Sequence, residues 1–154
     1  MQADRPSLKL WAVSDGRAGI EAQALGLAEA LARLTPAEVA VKRIAWKGGL
    51  GRLPTSLIPP ARKLLKPGSG IAPPWPDIWI AAGRATLPLS RRMKGKCFVV
   101  QTQNPRGALD AFDLVVPPLH DLVAGPNVFP IIGAPNRLTA DKLAAEAARW
   151  APQL

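Results

Sequence analysis

The chain has 154 residues, of which 48% are hydrophobic, and carries a formal charge of +9 at pH 7. This length and composition suffice for one domain with a hydrophobic core. No apolar run approaches the ~20 residues that span a bilayer, and the first residues lack the apolar segment of a secretory signal, so we expect a cytoplasmic protein. A single cysteine and a single histidine exclude an internal disulfide and leave a Cys/His zinc site short of ligands, so no metal is predicted.

The excess positive charge is confined to the middle of the chain. Residues 42–106 hold thirteen Lys and Arg but only one acid, Asp77, whereas the flanks together hold seven bases and ten acids. A basic surface of this kind favours phosphate groups, whether on a nucleotide, a lipid or a nucleic acid. The alternative is a solubilising surface without a specific partner.

The first predicted elements are a strand, a glycine turn and a helix. Leu8–Val13 is a short apolar run typical of a buried strand, and it stops at the turn Ser14–Gly19. Apolar residues then recur with helical period from Ile20 to Leu34. Strand, turn and helix open a βαβ unit, in which ligands bind at strand carboxyl ends and anions at helix N-termini. This turn is therefore the first candidate binding site.

A second strand and a long irregular segment follow. Residues 38–44 alternate and are β-branched, which predicts a strand, whereas glycines and prolines interrupt residues 45–76. A short helix is predicted after Pro60. The segment mixes cations with the apolar residues Trp46, Leu57, Ile58, Leu64 and Leu65. It is interpreted either as a surface that rests on an anionic membrane or as a loop whose apolar side chains close the core.

The rest of the chain alternates strands with helices. Further strands are predicted at Asp77–Ala82, Cys97–Gln101, Leu114–Val116 and Val128–Ile132, and helices at Ala85–Met93 and from an N-cap at Thr139 to about Trp150. Such alternation predicts an α/β fold, a single domain with a parallel sheet of about six strands flanked by helices. Trp11, Trp79 and Cys97 fall inside apolar strands and are predicted to be core residues.

Polar residues follow several of the predicted strands, where a parallel sheet would gather them at one edge. In chain order they are Asp15, Gly16, Arg17 and Gly19; Gly83 and Arg84; Gln101, Gln103, Asn104 and Arg106; and His120 and Asp121. Because a protein with only a structural core has no need of arginines and amides there, we expect a ligand-binding edge. The three arginines are candidates for contact with a phosphate.

The common nucleotide-binding motifs are absent from the sequence. The first turn lacks the G-x-G-x-x-G spacing, the second strand ends in Lys42-Arg43-Ile44 rather than an acid, and no P-loop occurs. No resident cofactor is therefore predicted. The chain has no tyrosine, which excludes the Tyr-x-x-x-Lys pair of sugar-nucleotide epimerases, so this chain is not expected to be an epimerase.

Five segments in order resemble one family: WAVSDGRAGIEAQALGLAEAL, PDIWIAAGRATLPLSRRMK, FVVQTQNPR, FDLVVPPLHD and FPIIGAPNRLT. From about Leu10 to Leu138 the chain is similar to the plant elongated-mitochondria fission factor and its bacterial relatives. That family looks like a GT-B glycosyltransferase, with two Rossmann-like domains facing across a cleft. The resemblance implies that residues 1–138 are the N-terminal, acceptor-side domain and that residues 139–154 lead to a second domain, which would hold most of a nucleotide-sugar.

The resemblance leaves two functions open. In a glycosyltransferase half, inactive alone, Asp15 or His120 would be the catalytic base, and the ligand-binding residues would be Gly16, Arg17, Gly19, Gly83, Arg84, Gln103, Asn104 and Arg106. The alternatives are a turn acid for Asp15 and a surface loop residue for His120.

The other function is a non-catalytic adaptor that lies on an anionic membrane, peripheral at the inner membrane. It would recruit a protein partner through the irregular basic segment, residues 45–76. Nucleic-acid binding is disfavoured, because the charge comes without a recognisable motif or stacking aromatics.

Overall fold

The computed structural model describes residues 6–153 and contains one five-stranded sheet in which all strand pairs are parallel. The strands are β1 (Leu8–Ser14), β2 (Ala37–Arg43), β3 (Ile78–Ala81), β4 (Phe98–Gln101) and β5 (Leu114–Val115), in the order β2-β1-β3-β4-β5. The connections between parallel neighbours pass over both faces of the sheet. The predicted Rossmann-like α/β domain is confirmed.

Three helices accompany the sheet: α1 (Ala18–Leu34), α2 (Leu87–Met93) and α3 (Ala140–Trp150). The first is two residues longer at its start than its apolar pattern indicated. The second begins at Leu87, after a 3₁₀ turn at Arg84–Thr86, so that Pro88 lies in its first turn, where a missing N–H is tolerated. No helix in residues 6–153 is long and apolar enough to cross a membrane.

The sixth strand expected at residues 128–132 does not form within the described part of the chain. Two isolated parallel bridges, Val115 with Val128 and Pro118 with Ile131, extend the sheet there instead. Between the two bridges the ladder needs an N–H from residue 117 to the Phe129 carbonyl, and Pro117 has none, which explains the interruption. The helix expected after Pro60 is likewise only a 3₁₀ turn, Arg62–Leu64.

The two faces of the sheet have separate cores. The α1 face buries small residues: Ala12 and Ala82, which come from the sheet and its edge, pack in one cluster with Ala24 and Ala28 of α1. The opposite face, here called the loop face, is covered by α2 and the irregular segment 45–76 and is built on large side chains. Trp79 is fully buried there, and its indole N–H donates to Ser90 Oγ of α2 at 2.9 Å.

The irregular segment 45–76 closes the core of the loop face. Trp46, Ile58 and Leu65 are buried, and the Trp46 indole N–H donates to the Ala85 carbonyl at 2.9 Å. Among the five apolar residues noted in the sequence, Leu57 is 64% exposed. For Trp46, Ile58 and Leu65, the interpretation as a loop whose apolar side chains close the core is therefore confirmed, because these side chains are buried.

Residues 133–138 cross helix α1 at Gly26. A Cβ added at Gly26 would overlap the backbone of Asn136, so only glycine lets the two chains approach this closely. Next to the crossing, Arg137 Nη2 lies 2.6 Å from Glu29 Oε1. Beyond it, α3 begins at the predicted N-cap Thr139, whose Oγ1 accepts from Lys142 N at 3.3 Å, and none of the residues of α3 is buried.

Replacing Gly26 with alanine should lower the free energy of unfolding by about 1–3 kcal/mol, because the Asn136 backbone has to move. Gly19→Ala on the same helix is the matched control, since a Cβ there meets no atom within 4 Å. The control should keep the wild-type stability or gain up to about 1 kcal/mol. Urea denaturation measures both, and equal effects of the two substitutions would contradict the close crossing.

The Glu29–Arg137 contact should make stability depend on pH. The hydrogen bond from Arg137 holds the pKa of the Glu29 carboxyl below its ordinary value of 4.5. A carboxyl whose pKa is lower in the folded chain than in the unfolded chain stabilises the fold at pH values above its unfolded pKa. This stabilisation is lost as the pH falls through its folded pKa. Thermal melts between neutral pH and pH below 4.5 should therefore show a smaller acid-induced loss in Arg137→Met than in the wild type. The control Arg52→Met, in an exposed 3₁₀ turn, should follow the wild type.

Candidate functional site

A cleft of about 630 Å³ lies at the carboxyl edge of the sheet. The loops that follow β3, β4 and β5 form most of it, and residues 54–56 of the irregular segment close it. Its lining combines the polar residues Thr55, Ser56, Arg84, Gln101, Gln103, Asn104, Arg106 and Asp121 with Gly83, Pro54, Leu87, Pro105 and Pro118. This is the edge at which open parallel sheets bind their ligands.

The turn after β3 depends on Gly83. Its φ is +86°, and an added Cβ would lie 2.8 Å from Ile20 Cγ2 in the first part of α1. The Gly83 N–H donates to Gln103 Oε1 at 3.1 Å, which fixes that amide at the cleft wall. Arg84, the next residue, is exposed and lines the cleft. The glycine is therefore needed by the backbone and by packing against α1, and it places an amide and a guanidinium side by side.

Gln101, the last residue of β4, lines the cleft and has an unsatisfied amide oxygen. The residue is 1% exposed, and within residues 6–153 its Oε1 has no hydrogen-bond partner. A buried polar atom without a partner destabilises a protein by about 1–3 kcal/mol, and such atoms are rare. Gln23 Oε1, Arg91 Nε and Thr102 Oγ1 are also buried and unpaired within residues 6–153, and of these four atoms only Gln101 Oε1 belongs to a residue that lines this cleft.

Arg106 is held at the cleft by an unusual backbone. Its φ is +49°, in the left-handed region that residues other than glycine, asparagine and aspartate seldom adopt. Its backbone N–H donates to Asn104 Oδ1 at 2.8 Å. Strained conformations of this kind concentrate at functional sites. Arg84 and Arg106 thus share one cleft with the carboxylate of Asp121.

Arg17 lies in a smaller neighbouring cleft of about 270 Å³, lined also by Asp15, Thr55 and Arg84. Thr55 and Arg84 line both clefts, so the two adjoin. The structure therefore divides the three predicted arginines: Arg84 shares one cleft with Arg106 and the other with Arg17.

Asp15 makes the contacts of a turn acid. Its Oδ2 accepts from Arg17 Nε at 2.8 Å and its Oδ1 from the Arg17 N–H at 3.2 Å. Both carboxylate oxygens are thus engaged by one residue, whose side chain is 68% exposed. These contacts account for Asp15 as a turn acid, and its role as a catalytic base stays a prediction.

The two glycines of the first turn differ. Gly16 has φ +83°, its N–H donates to Ser14 Oγ at 3.1 Å, and an added Cβ would lie 3.3 Å from Arg43 Cδ. Arg43 is itself held by two hydrogen bonds to Glu21. Gly16 is thus required for reversing the chain, whereas Gly19 faces open space, where a ligand could approach.

The two polar residues predicted after β5 lie in one 3₁₀ turn and differ in exposure. Asp121 lines the main cleft, while the His120 side chain is 78% exposed, with its Nε2 3.6 Å from Asp121 Oδ1. Among residues 6–153 no group of three or more His, Cys, Asp or Glu is placed to hold a metal ion. Burial, with a smaller contribution from Asp113, raises the pKa of the Cys97 thiol to about 11, so it is a protonated thiol at neutral pH.

Sequence reasoning missed the contribution of Thr55 and Ser56. They belong to a segment without hydrophobic periodicity, and only the fold of that segment over the loop face brings them to the carboxyl edge. The importance of Gln101 was also hidden, because burial of an amide without a partner is a tertiary property.

The unpaired oxygen of Gln101 gives an expected gain of stability on its removal. Gln101→Leu keeps the volume and deletes the buried polar group, so the free energy of unfolding should rise by about 1–3 kcal/mol. The control Gln103→Leu removes the acceptor of the Gly83 N–H and should lower it instead. Chemical denaturation of both variants measures the difference, and a loss of stability in Gln101→Leu would contradict the reading of that oxygen as unsatisfied.

Comparison with known proteins identifies one family. A family model described as "Mitochondrial fission ELM1" matches residues 18–154, which includes α1, all strands after it and the loops of the cleft. No curated protein and no solved structure matched in the other two comparisons. The match covers far more than half of the chain and confirms the resemblance found in the sequence. The protein therefore belongs to the mitochondrial fission ELM1 family.

Proposed function

We propose that this domain is the acceptor-side half of a GT-B-like glycosyltransferase that works with a nucleotide-sugar donor and is inactive alone. The observation that carries the proposal is the carboxyl-edge cleft, which is lined by two arginines and by Gln101, a residue with a buried, unpaired amide oxygen. Guanidinium groups bind phosphate oxygens in a bidentate manner, and an amide oxygen accepts from a hydroxyl. A ligand with both hydroxyls and phosphates satisfies this lining.

Each part of the cleft has a task in this proposal. Arg84 and Arg106 neutralise the diphosphate as the bond to the sugar breaks, which stabilises developing negative charge. Gln101, Gln103 and Asn104 orient hydroxyl groups. A carboxylate or imidazole removes the proton from the acceptor hydroxyl. Asp121 lines the main cleft and is the first group to test as this base, ahead of the predicted Asp15 and His120.

A GT-B-like plan needs a second domain across the cleft, which would complete the binding site for the nucleotide-sugar. The 154-residue chain alone should therefore bind a ligand weakly and turn over none. Incubation with a panel of nucleotide-sugars and sugar acceptors, followed by chromatography of released nucleotide, tests this expectation. Measurable product from the isolated chain would show that the half-enzyme proposal is wrong.

Binding is tested directly with uridine diphosphate glucose and with inorganic pyrophosphate by titration calorimetry. Loss of one charge-assisted contact of about 1.5–3 kcal/mol should weaken binding roughly 10- to 100-fold in Arg84→Ala and in Arg106→Ala. The control Arg52→Ala removes an exposed arginine outside the cleft and should bind as the wild type does. Equal affinity in all three variants would remove the cleft from consideration.

The second candidate function is a non-catalytic, membrane-associated adaptor that recruits a protein partner. A groove of about 530 Å³ on the α1 face favours it, because Phe98 and Phe129 line the groove and are 48% and 65% exposed. Large apolar side chains exposed together often mark sites of protein association. An adaptor would keep its function in the Arg84→Ala and Arg106→Ala variants, whereas the enzyme would lose its function, so the same pair of variants separates the two proposals.

A further inference from the structure

A second large pocket lies on the loop face, away from the carboxyl edge. Its volume is about 700 Å³, and it opens between the second half of α2 and residues 59–63 of the irregular segment. Trp75 and Lys96, which precede β3 and β4, also line it. The pocket is therefore at the amino end of the sheet, and it shares no lining residue with the cleft proposed as the enzymatic site.

The floor of this pocket is hydrocarbon. Trp79, Leu89 and Met93 line its base and are each at most 5% exposed, so the apolar surface open to an occupant is that of the exposed Pro59 and Pro60 and the half-buried Trp75. The indole N–H of Trp79 is already used in its hydrogen bond to Ser90, so this ring offers no polar atom to an occupant. A ligand that reaches the floor is therefore recognised there by apolar contact.

Four cations surround the opening. Arg62 and Lys63 come from the 3₁₀ turn of the irregular segment, and Arg92 and Lys96 from the end of α2 and the turn after it. All four are exposed, Lys96 Nζ lies 5.4 Å from the Trp75 ring centroid, and no residue that lines the pocket is acidic. Like charges from two separate elements, without a carboxylate between them, create a positive potential that attracts an anion.

We propose that this pocket binds an anionic phospholipid, with one acyl chain on the floor and the phosphate among the four cations. The order of the groups supports a lipid: charge lies at the opening, the Trp75 ring lies next to it, and hydrocarbon lies below, as at a membrane surface. A free nucleotide or phosphate would leave the accessible apolar surface of Trp75, Pro59 and Pro60 uncovered. The proposal is independent of the glycosyltransferase proposal, because the two sites share no residue.

The charge around the pocket supports the same occupant. Residues 42–106, which include all four rim cations, carry thirteen bases and one acid. Each cation near an anionic leaflet contributes an attraction of about 1 kcal/mol, which decays within a Debye length. Long-range attraction would bring this face to the membrane, and the pocket would then select the lipid.

The direct test measures binding of dihexanoyl phosphatidylglycerol, below its micelle concentration, by titration calorimetry. Glycerol 3-phosphate, which has the phosphate without the chains, and dihexanoyl phosphatidylcholine, which has the chains without net charge, are the reference ligands. We expect each to bind at least about tenfold more weakly than the anionic lipid, because each lacks one of the two contacts. Equal affinity for glycerol 3-phosphate would show that the pocket binds only the phosphate. Equal affinity for phosphatidylcholine would show that the four cations do not contribute to binding. Either result overturns the proposal.

Two variants and a matched control locate the binding. The pair Arg62→Gln with Arg92→Gln removes one cation from each side of the opening and should weaken binding of the anionic lipid about tenfold or more. The control pair Arg52→Gln with Lys66→Gln removes the same charge from exposed positions outside the pocket and should leave the affinity within about threefold. Equal loss in both pairs would show unspecific attraction and overturn the assignment.

A third variant tests the floor without changing charge. Ala61→Phe places an aromatic ring into the pocket that Ala61 lines, and it should abolish binding of the anionic lipid while thermal melting confirms that the protein is folded. Unchanged binding in this variant would contradict insertion of the chain. Sedimentation with phosphatidylglycerol vesicles gives the second readout: wild type should sediment in a salt-sensitive manner and Ala61→Phe less. Tighter binding of an acidic amphipathic peptide than of the lipid would assign the pocket to a protein partner instead.

Discussion

The buried indole of Trp79 holds the loop face of this domain together. It lies in the central strand β3, its N–H donates to Ser90 of α2, and its ring centroid is 5.9 Å from that of Trp11 in the neighbouring strand. Because an indole N–H left unpaired in a core is costly, the helix is fixed at one position along the sheet. That position decides where the two ends of α2 lie. The start of the helix leads from Gly83 and Arg84 at the carboxyl edge, and its end brings cations to the pocket at the amino end.

The same helix therefore separates two surfaces of different chemistry. At the carboxyl edge, loops after three strands supply amides, two guanidinium groups and one carboxylate around one cleft. At the amino end, Trp75, Trp79 and Met93 line an apolar pocket, and four cations surround its opening. The two proposed sites can therefore be tested separately, because they share no lining residue.

The carboxyl edge also holds several features that reduce the stability of the fold. A buried, unpaired amide at Gln101, a left-handed backbone at Arg106 and a glycine-only turn at Gly83 occur within one cleft. Each lowers the stability of the folded chain relative to a simpler arrangement. Features of the same kinds also occur outside the cleft, at Gln23, Arg91, Thr102 and Leu122, and what distinguishes this edge is that three of them line one cavity. It is the physical basis for placing function there.

The sequence by itself determined the parallel α/β plan, the first strand, turn and helix, the N-cap at Thr139 and the family. These follow from hydrophobic period, glycine positions and short ordered segments, all of which are local. Only the tertiary structure decided that Trp46, Ile58 and Leu65 turn inward, that Thr55 and Ser56 reach the cleft, and that Arg17 shares a smaller cleft with Arg84. It also decided that residues 128–131 pair with the sheet through two bridges only, on either side of Pro117. The reason is that an aperiodic segment rich in proline and glycine has no preferred face of its own, so its side chains take their places from the surface onto which it folds.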